Sequence, residues 1–515
     1  MIAELEKRLT DPEGPFAPER VLRGDRDELL PREACRALYD AGLHLACVPR
    51  RYGGTLDDYF RTVQGIRLVA RRDLSVAVAH GQIMLGTAPI WVAGTDDQAT
   101  RVAAEIAAGA VISFGLTERE HGSDVLANDA HAVRADGGWR LSGEKWPINY
   151  ATHGDLICVF ARTESEPGPR AFSLFLVDKR ELPHSQIRYL PKTHTFGLRG
   201  ADISGVEFTE ALLPEHALVG RPGDGAAIAL KSLQMTRVGC AGLSLGAADH
   251  AVRLAVAATG TADHERRLLG RAVAGVLTAE AVAALGARCF HTLPGEMSVV
   301  SAVVKSFVPG VADEVVRLAG ALLGSDAVRD ASSAYAKLER DHRIVEIFDG
   351  STYVNRTVLI NHFPMLSRAW RRGTGDESAV RLAARLDAPV PPFDARRLGL
   401  LATAGASVVT TVREHPVLSQ LAEELHRDLA SWRPAMRDVP PEGFELARRY
   451  EQLFAAAACV HVHRANGLSD GWLEATMAYL FAPADADAVY LRLADEVLAG
   501  AVPGPDSIDP TGWGL

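Results

Sequence analysis

The residues best suited to do chemistry lie in R-D-H-R-I-V-E-I-F-D-G-S-T-Y-V-N-R, positions 340–356. Asp349 follows two apolar residues and precedes a glycine, a pattern that sets it at a helix end. A carboxylate held there, partly out of water, would have a raised pKa and could act as a general base. Asp-Gly is equally the pair expected of an ordinary surface helix stop. Three further stretches carry polar groups beside strand-like segments. In S-F-G-L-T-E-R-E-H-G-S-D-V (113–125), Thr117, Gly122 and Ser123 occupy a polar loop able to hold a phosphate or a ring edge. In L-S-G-E-K-W-P-I-N-Y-A (141–151), Trp146 either stacks on a planar cofactor or plugs a sheet core. In H-T-F-G-L-R-G-A-D-I-S-G-V-E-F (194–208), the glycines and Arg199 form a turn entering a strand.

The elements that must position these residues change along the chain. Residues 1–110 read as helices, at 33–43, 57–71, 75–92 and 97–108, with apolar residues at helical spacing. From 111 to 220 the segments are short, β-rich and punctuated by Gly, Pro and Asp: 111–116, 131–134, 138–142, 156–163, 172–177 and 205–208. They predict a compact antiparallel sheet or barrel. Long Ala/Leu/Val-rich helices follow at 226–259, 268–285, 297–323 and 332–347, then one to about Trp370, as in a helix bundle occupying 221–370. Residues 371–394 read as a charged, then Pro-rich, linker. A last helical region spans 395–515, with helices at 395–412, 416–431, 443–466 and 473–499 and a Gly/Pro-rich tail. The fold class is therefore α+β, mostly α.

Composition limits the function. At 515 residues, 47% hydrophobic and 23% charged, the chain can bury large cores over about three domains. A net charge of -10 argues against a nucleic-acid partner. The six cysteines show no C-x-x-C spacing, so neither a zinc site nor a disulfide framework is expected. His461 and His463 lie ~200° apart on a helix and do not make a metal pair. No metal is expected. The charged start lacks a signal-peptide core, and no charge-free apolar run of ~18 residues was apparent, so no membrane association is expected and the setting is cytoplasmic.

Taken in order, the motifs resemble those of the acyl-CoA dehydrogenase family. V-P-R-R-Y-G-G (48–54) is similar to its early turn, and T-E-R-E-H-G-S-D to its T-E-P-x-A-G-S-D. S-G-E-K-W-P-I-N-Y-A resembles N-G-x-K-x-W-I-T-N-G, and F-G-L-R-G-A-D resembles the G-x-R-x-S/T segment. The 340–356 stretch resembles R-D-x-x-x-x-x-I-Y-E-G-T-x-x-I-x-R. The likeness covers about residues 30–365. It implies a helical N-terminal domain, a β-barrel middle domain and a C-terminal four-helix bundle, with FAD bound between subunits of a homodimer or homotetramer.

The resemblance also assigns roles. Phe114, Leu116, Thr117, Gly122 and Ser123 would line FAD, with Trp146 and Ile148 against the ring and Gly350, Ser351 and Tyr353 bordering it. Asp349 would take the α-proton of an acyl thioester carried on CoA or an acyl-carrier protein, with Thr236 and Arg237 beside the thioester. Electrons would pass to an electron-transfer flavoprotein. The alternatives are a flavin-dependent oxygenase or oxidase on the same fold, or a non-catalytic subunit of a hetero-oligomer.

Four positions depart from the family pattern. Asp349 stands where the family carries glutamate, one methylene longer, and a displacement of about 1 Å can cost on the order of 100-fold in rate. Glu346 matches an ordinary helix residue and is not a substitute. Ile148, after Pro147, takes the place of a threonine. T-G-T-A-D-H-E-R-R-L-L-G-R (259–271) replaces R-x-x-F-G, leaving Arg266 or Arg267 to stand in for its arginine, and R-L-A-G-A-L-L-G (317–324) replaces G-G-x-G.

Overall fold

The computed structural model describes residues 2–433 and 438–500. The Gly/Pro-rich tail expected at the end of the chain falls almost wholly outside those residues. Two compact units form. The first comprises residues 1–57, 75–236 and 394–400, and the second 58–74, 237–393 and 401–515.

The early helices include α1 (Tyr59–Ala70), α2 (Leu74–Ala93) and α3 (Asp96–Ala107). Thr95 and Gln98 start α3 with a capping box, each side chain bonding the other's backbone N–H. One expectation fails at α2. Its twenty residues contain no Asp, Glu, Lys or Arg, so by length and composition it could cross a membrane, as could a helix at 263–292. The apolar windows of both are mostly buried within the structure, as in core helices.

The first unit holds one eight-stranded sheet, built from β1 (Ile112–Gly115), β2 (His131–Ala135), β3 (Gly138–Asn149), β4 (Leu156–Arg162), β5 (Phe172–Asp178), β6 (Ile187–Leu190), β7 (Ile203–Pro214) and β8 (Leu218–Val219). The order is β6-β7-β3-β2-β4-β5-β8, with β1 joined to β4. Most pairs are antiparallel, but β1 runs parallel to β4, from Ile112 opposite Leu156 to Gly115 opposite Val159. Strand β3 continues past the expected end at Ser142 to Asn149, shifting register between Leu141 and Gly143 and again between Lys145 and Ile148. Bulges of this kind re-aim side chains and hide a strand's period from sequence reading. The short β6 and β8 were not anticipated.

The second unit is helical. Its long members are α4 (Gly225–Ala258), which starts in the first unit, α5 (Asp263–Thr292), α6 (Met297–Leu323) and α8 (Thr352–Arg372), with α7 (Ala334–His342) before the last. The expected helix at 332–347 ends at His342, and turns lead from there to Ser351. At its centre Arg67 of α1 is 1% exposed and bonds both oxygens of Asp249, at 2.7 and 2.8 Å, and Glu280 at 2.7 Å.

The C-terminal region differs from expectation in three places. The stretch read as a linker contains α9 (Glu377–Ala384), capped by Asp376. Arg288, buried on α5, donates to the carbonyls of Ala383, Arg385 and Ala388 and holds the end of α9 in place. The helix expected at 395–412 is reduced to single turns at Ala395–Arg397 and Ser407–Thr410. After α10 (Pro441–Asn466), the helix expected at 473–499 is two, α11 (Asp470–Phe481) and α12 (Ala486–Leu498). Pro483 separates them, because proline disfavours helical geometry in the residue before it, and Ala482 has φ 43°.

Helix α12 packs on α5. A Cβ on Gly270 of α5 would lie 1.9 Å from the Tyr490 carbonyl oxygen of α12. Gly270→Ala is expected to push α12 off its seat and cost about 1–3 kcal/mol, seen as a lowered Tm. Arg266 pairs with Asp495 at 2.6 Å and Arg267 with Asp487 at 3.7 Å, both on α12. Both candidates for the family's arginine are thus paired with carboxylates of α12.

Burial also sets an acid limit. It depresses the imidazoles of His80, His250 and His426 from an ordinary 6.5 to about 3. Between those values the unfolded chain binds protons that the folded chain does not, so these groups make stability fall as the pH drops from 6.5 toward 3. Melts at pH 7 and pH 5 should show the loss, and His80→Gln should reduce it.

Candidate functional site

In the first unit, β1 delivers its end to the expected cofactor loop. Phe114 and Leu116 are buried, Thr117 is half-buried, and Gly122 and Ser123 are exposed. Glu118 anchors the loop: its carboxylate accepts from the Asp129 and Ala130 N–H groups and from Lys145 Nζ at 2.6 Å. Lys145 is fully buried, and burial lowers its ammonium to about 8 even beside Glu118. Thr117 joins this loop to β3, its carbonyl accepting from the Trp146 N–H and its hydroxyl donating to the Pro147 carbonyl.

Two residues expected at the cofactor lie on β3. Ile148 is 3% exposed and belongs to the apolar core of the sheet. Trp146 packs close to Gly205 of β7, and the Arg119 guanidinium covers its ring at 4.2 Å. The residue after Ile148, Asn149, is half-buried, and its Nδ2 donates to the Val78 carbonyl at 3.2 Å. Its Oδ1 is buried and has no hydrogen-bond partner among the described residues. An orphaned acceptor costs about 1–3 kcal/mol unless a ligand donor meets it. With the hydroxyls of Thr117 and Ser123, this acceptor fits a group such as flavin, which offers N–H and O–H donors and acceptors around a planar ring. Strand alternation was the signal that could have found Asn149: a buried Ile148 turns its neighbour to the other side.

In the second unit, the turn at 349–350 is built from α4, α6 and α8. Asp349 has φ 56° and Gly350 φ 94°, two successive residues in the left-handed region. Aspartate tolerates that conformation better than most residues, and glycine adopts it freely. A Cβ on Gly350 would lie 3.3 Å from both Arg237 Nη2 and Asn355 Nδ2, so the turn also needs the space. Ser351 then caps α8, its hydroxyl accepting from the Val354 N–H at 3.3 Å.

The groups around Asp349 are buried and polar. Arg237 Nε donates to the Asp349 carbonyl at 3.2 Å, and Cys240 Sγ donates to its Oδ2 at 3.6 Å. Burial lowers the Arg237 guanidinium to about 10, while Asp349 opposes the shift, so the side chain is a cation at neutral pH. Burial and then Asp349 push the Cys240 thiol well up, which keeps it a proton donor. Lys305 of α6, fully buried, donates to the Val345 carbonyl at 2.6 Å and feels the charges of both Asp349 and Glu346. Glu346 itself points to α6, beside Gly310, and burial followed by Asp313 raises its pKa. It does not join Arg237 and Cys240, in line with its expected ordinary role.

The remaining site expectations divide. Thr236 is buried and its hydroxyl turns back to the Leu233 carbonyl of its own helix. Arg237 faces the Asp349 turn. Tyr353 stacks on Phe444 of α10, with ring centroids 4.9 Å apart, so one face is taken by the C-terminal region. His461 bonds the Val408 carbonyl, and His463 stacks on Trp472.

A helical N-terminal region, a sheet domain and a bundle whose carboxylate turn is backed by buried basic side chains define a class that the comparisons identify. Three models describe the acyl-CoA dehydrogenase N-terminal domain at residues 15–110, its middle domain at 113–211 and its C-terminal domain at 223–363. The chain belongs to the acyl-CoA dehydrogenase family and is an enzyme of that kind. It is 29% identical over 352 residues to the "Probable acyl-CoA dehydrogenase FadE25" of Mycobacterium tuberculosis, covering 65% of this chain and 88% of that one. Its fold matches an acyl-CoA dehydrogenase complexed with FAD from Bacillus anthracis, at TM-score 0.69 and 20% identity, over 96% of this chain and 87% of that one. It also matches the prolyl acyl carrier protein oxidase AnaB, at TM-score 0.61 and 17% identity, over 70% of this chain and 97% of that one.

Proposed function

We propose that the chain is an FAD-dependent dehydrogenase that introduces an α,β-double bond into an acyl thioester, with Asp349 as the base. The observation that carries this reading is the setting of Asp349: a half-buried carboxylate at the family's catalytic position, with the buried Arg237, Lys305 and Cys240 thiol behind it. Asp349 removes the proton from the α-carbon and becomes a carboxylic acid. Arg237 fixes the turn through the main chain. A bound oxidised flavin supplies the acceptor for the hydride that leaves the β-carbon. Thr117, Ser123 and Asn149 hold that cofactor, with Asn149 taking the part first given to Ile148. The carrier of the acyl group is CoA or an acyl-carrier protein, electrons leave to an electron-transfer flavoprotein, and the protein works in the cytoplasm as a homodimer or homotetramer.

The test is a visible spectrum of the purified protein followed by anaerobic addition of acyl thioesters of graded length. A flavin band that bleaches without oxygen or a reductant supports the dehydrogenase. Turnover only with oxygen and a flavin reductase would overturn it in favour of an oxygenase. Asn149→Ala is expected to weaken flavin retention about 10-fold, for the loss of one buried hydrogen bond, as read by flavin fluorescence on dilution.

A further inference from the structure

Helix α8 begins at the catalytic turn and presents two faces within its first turns. Asn355 points back at the turn: it is fully buried, and its Nδ2 donates to the Gly350 carbonyl at 2.7 Å and the Ser351 carbonyl at 3.1 Å. Tyr353 and Arg356, three residues apart and so on one face, meet α10 instead. There Phe444 stacks on Tyr353, its ring tilted by 26°. Glu451, 2% exposed, grips Arg356 in a bidentate pair, Oε1 to Nε at 3.0 Å and Oε2 to Nη2 at 2.9 Å. Phe444 and Glu451 are seven residues apart, two turns of one stripe of α10. Both lie beyond the last residue matched by the family's C-terminal domain, Phe363.

We infer that Glu451 and Phe444 are positioning residues for Asp349: the C-terminal region clamps the first turns of α8, and Asn355 passes that constraint to the Asp349–Gly350 turn. A carboxylate as buried as Glu451 costs several kcal/mol in desolvation unless it is well paired. The pair therefore favours one placement of α8 strongly. A short aspartate base makes that placement matter, because a misplacement of about 1 Å costs on the order of 100-fold in rate.

The inference rests on the dehydrogenase reading, so its test has two independent arms. In the first, hydrogen exchange of full-length protein is followed over peptides spanning 343–355. Glu451→Gln and Phe444→Ala are expected to speed exchange there at least 10-fold, while peptides from the sheet stay unchanged. In the second, the limiting rate of anaerobic flavin reduction should fall 10- to 100-fold in both variants, with the half-saturating thioester concentration and the flavin content unchanged. The charge swap Arg356→Glu with Glu451→Arg should recover most of the rate, which a general loss of stability would not allow. Unchanged exchange across 343–355 in both variants overturns the clamp whatever the enzyme's substrate. A wild-type flavin that no thioester bleaches sinks the dehydrogenase reading, and the exchange arm still decides the clamp.

Discussion

Arg67→Met is expected to lower stability by about 3–5 kcal/mol, a large part of the 5–15 kcal/mol that holds a typical folded protein together. The arginine neutralises two carboxylates in the interior of the second unit, with three hydrogen bonds of 2.7–2.8 Å. Its removal takes the shared cation from two buried carboxylates. The loss comes from that charge imbalance more than from the missing contacts. Replacing the whole set, Arg67→Met with Asp249→Leu and Glu280→Leu, should therefore recover most of the stability, since apolar groups of similar volume fill such sites at little cost. Urea unfolding of both variants checks the pair of expectations. A single variant as stable as the wild type would show that the triad contributes nothing.

The second large effect is catalytic. Asp349→Ala is expected to slow anaerobic flavin reduction by a factor of about 10²–10⁴, the usual contribution of a positioned general base. The turn should keep its shape, because Arg237 and Asn355 also hold it through the main-chain oxygens of Asp349 and Gly350. Asp349→Glu is more discriminating. It restores the family's residue but extends the side chain by a methylene in a turn fitted to the shorter acid. A rate near that of the wild type would mean that the turn has slack, and a fall of about 100-fold that it is set for aspartate.

The sequence disclosed the order of helices, sheet and helices because long Ala/Leu/Val runs and short Gly-punctuated strands obey different periods. Met297–Leu323 was legible to the residue. What was lost depended on partners distant in the chain. Nothing near 377–384 announces that Arg288 will cap that helix, so a charged stretch before prolines looked like a linker. Lone residues inside apolar stripes were equally silent: Arg67 gives the same pattern whether it reaches water or a buried carboxylate. At the site, the loop at 117–123 and the turn at 349–351 stand out in the sequence, since their residue types are unusual in combination. The burial of Ile148 in the sheet core was not legible, because bulges in β3 shift the strand's alternation. The stacking of Tyr353 on Phe444 was not legible, because α10 lies ninety residues further on, where no local pattern links it to α8.

One measurement bears most directly on Asp349 as the base. The flavin is first reduced chemically, so that no hydride can be accepted, and the protein is incubated with a saturated acyl thioester in D₂O. Proton removal is then the one step left, and it is reversible. The wild type should wash deuterium into the α-carbon, read by mass spectrometry of the recovered thioester, and Asp349→Ala with equal flavin content should not. Equal deuterium uptake by the two proteins would contradict the account.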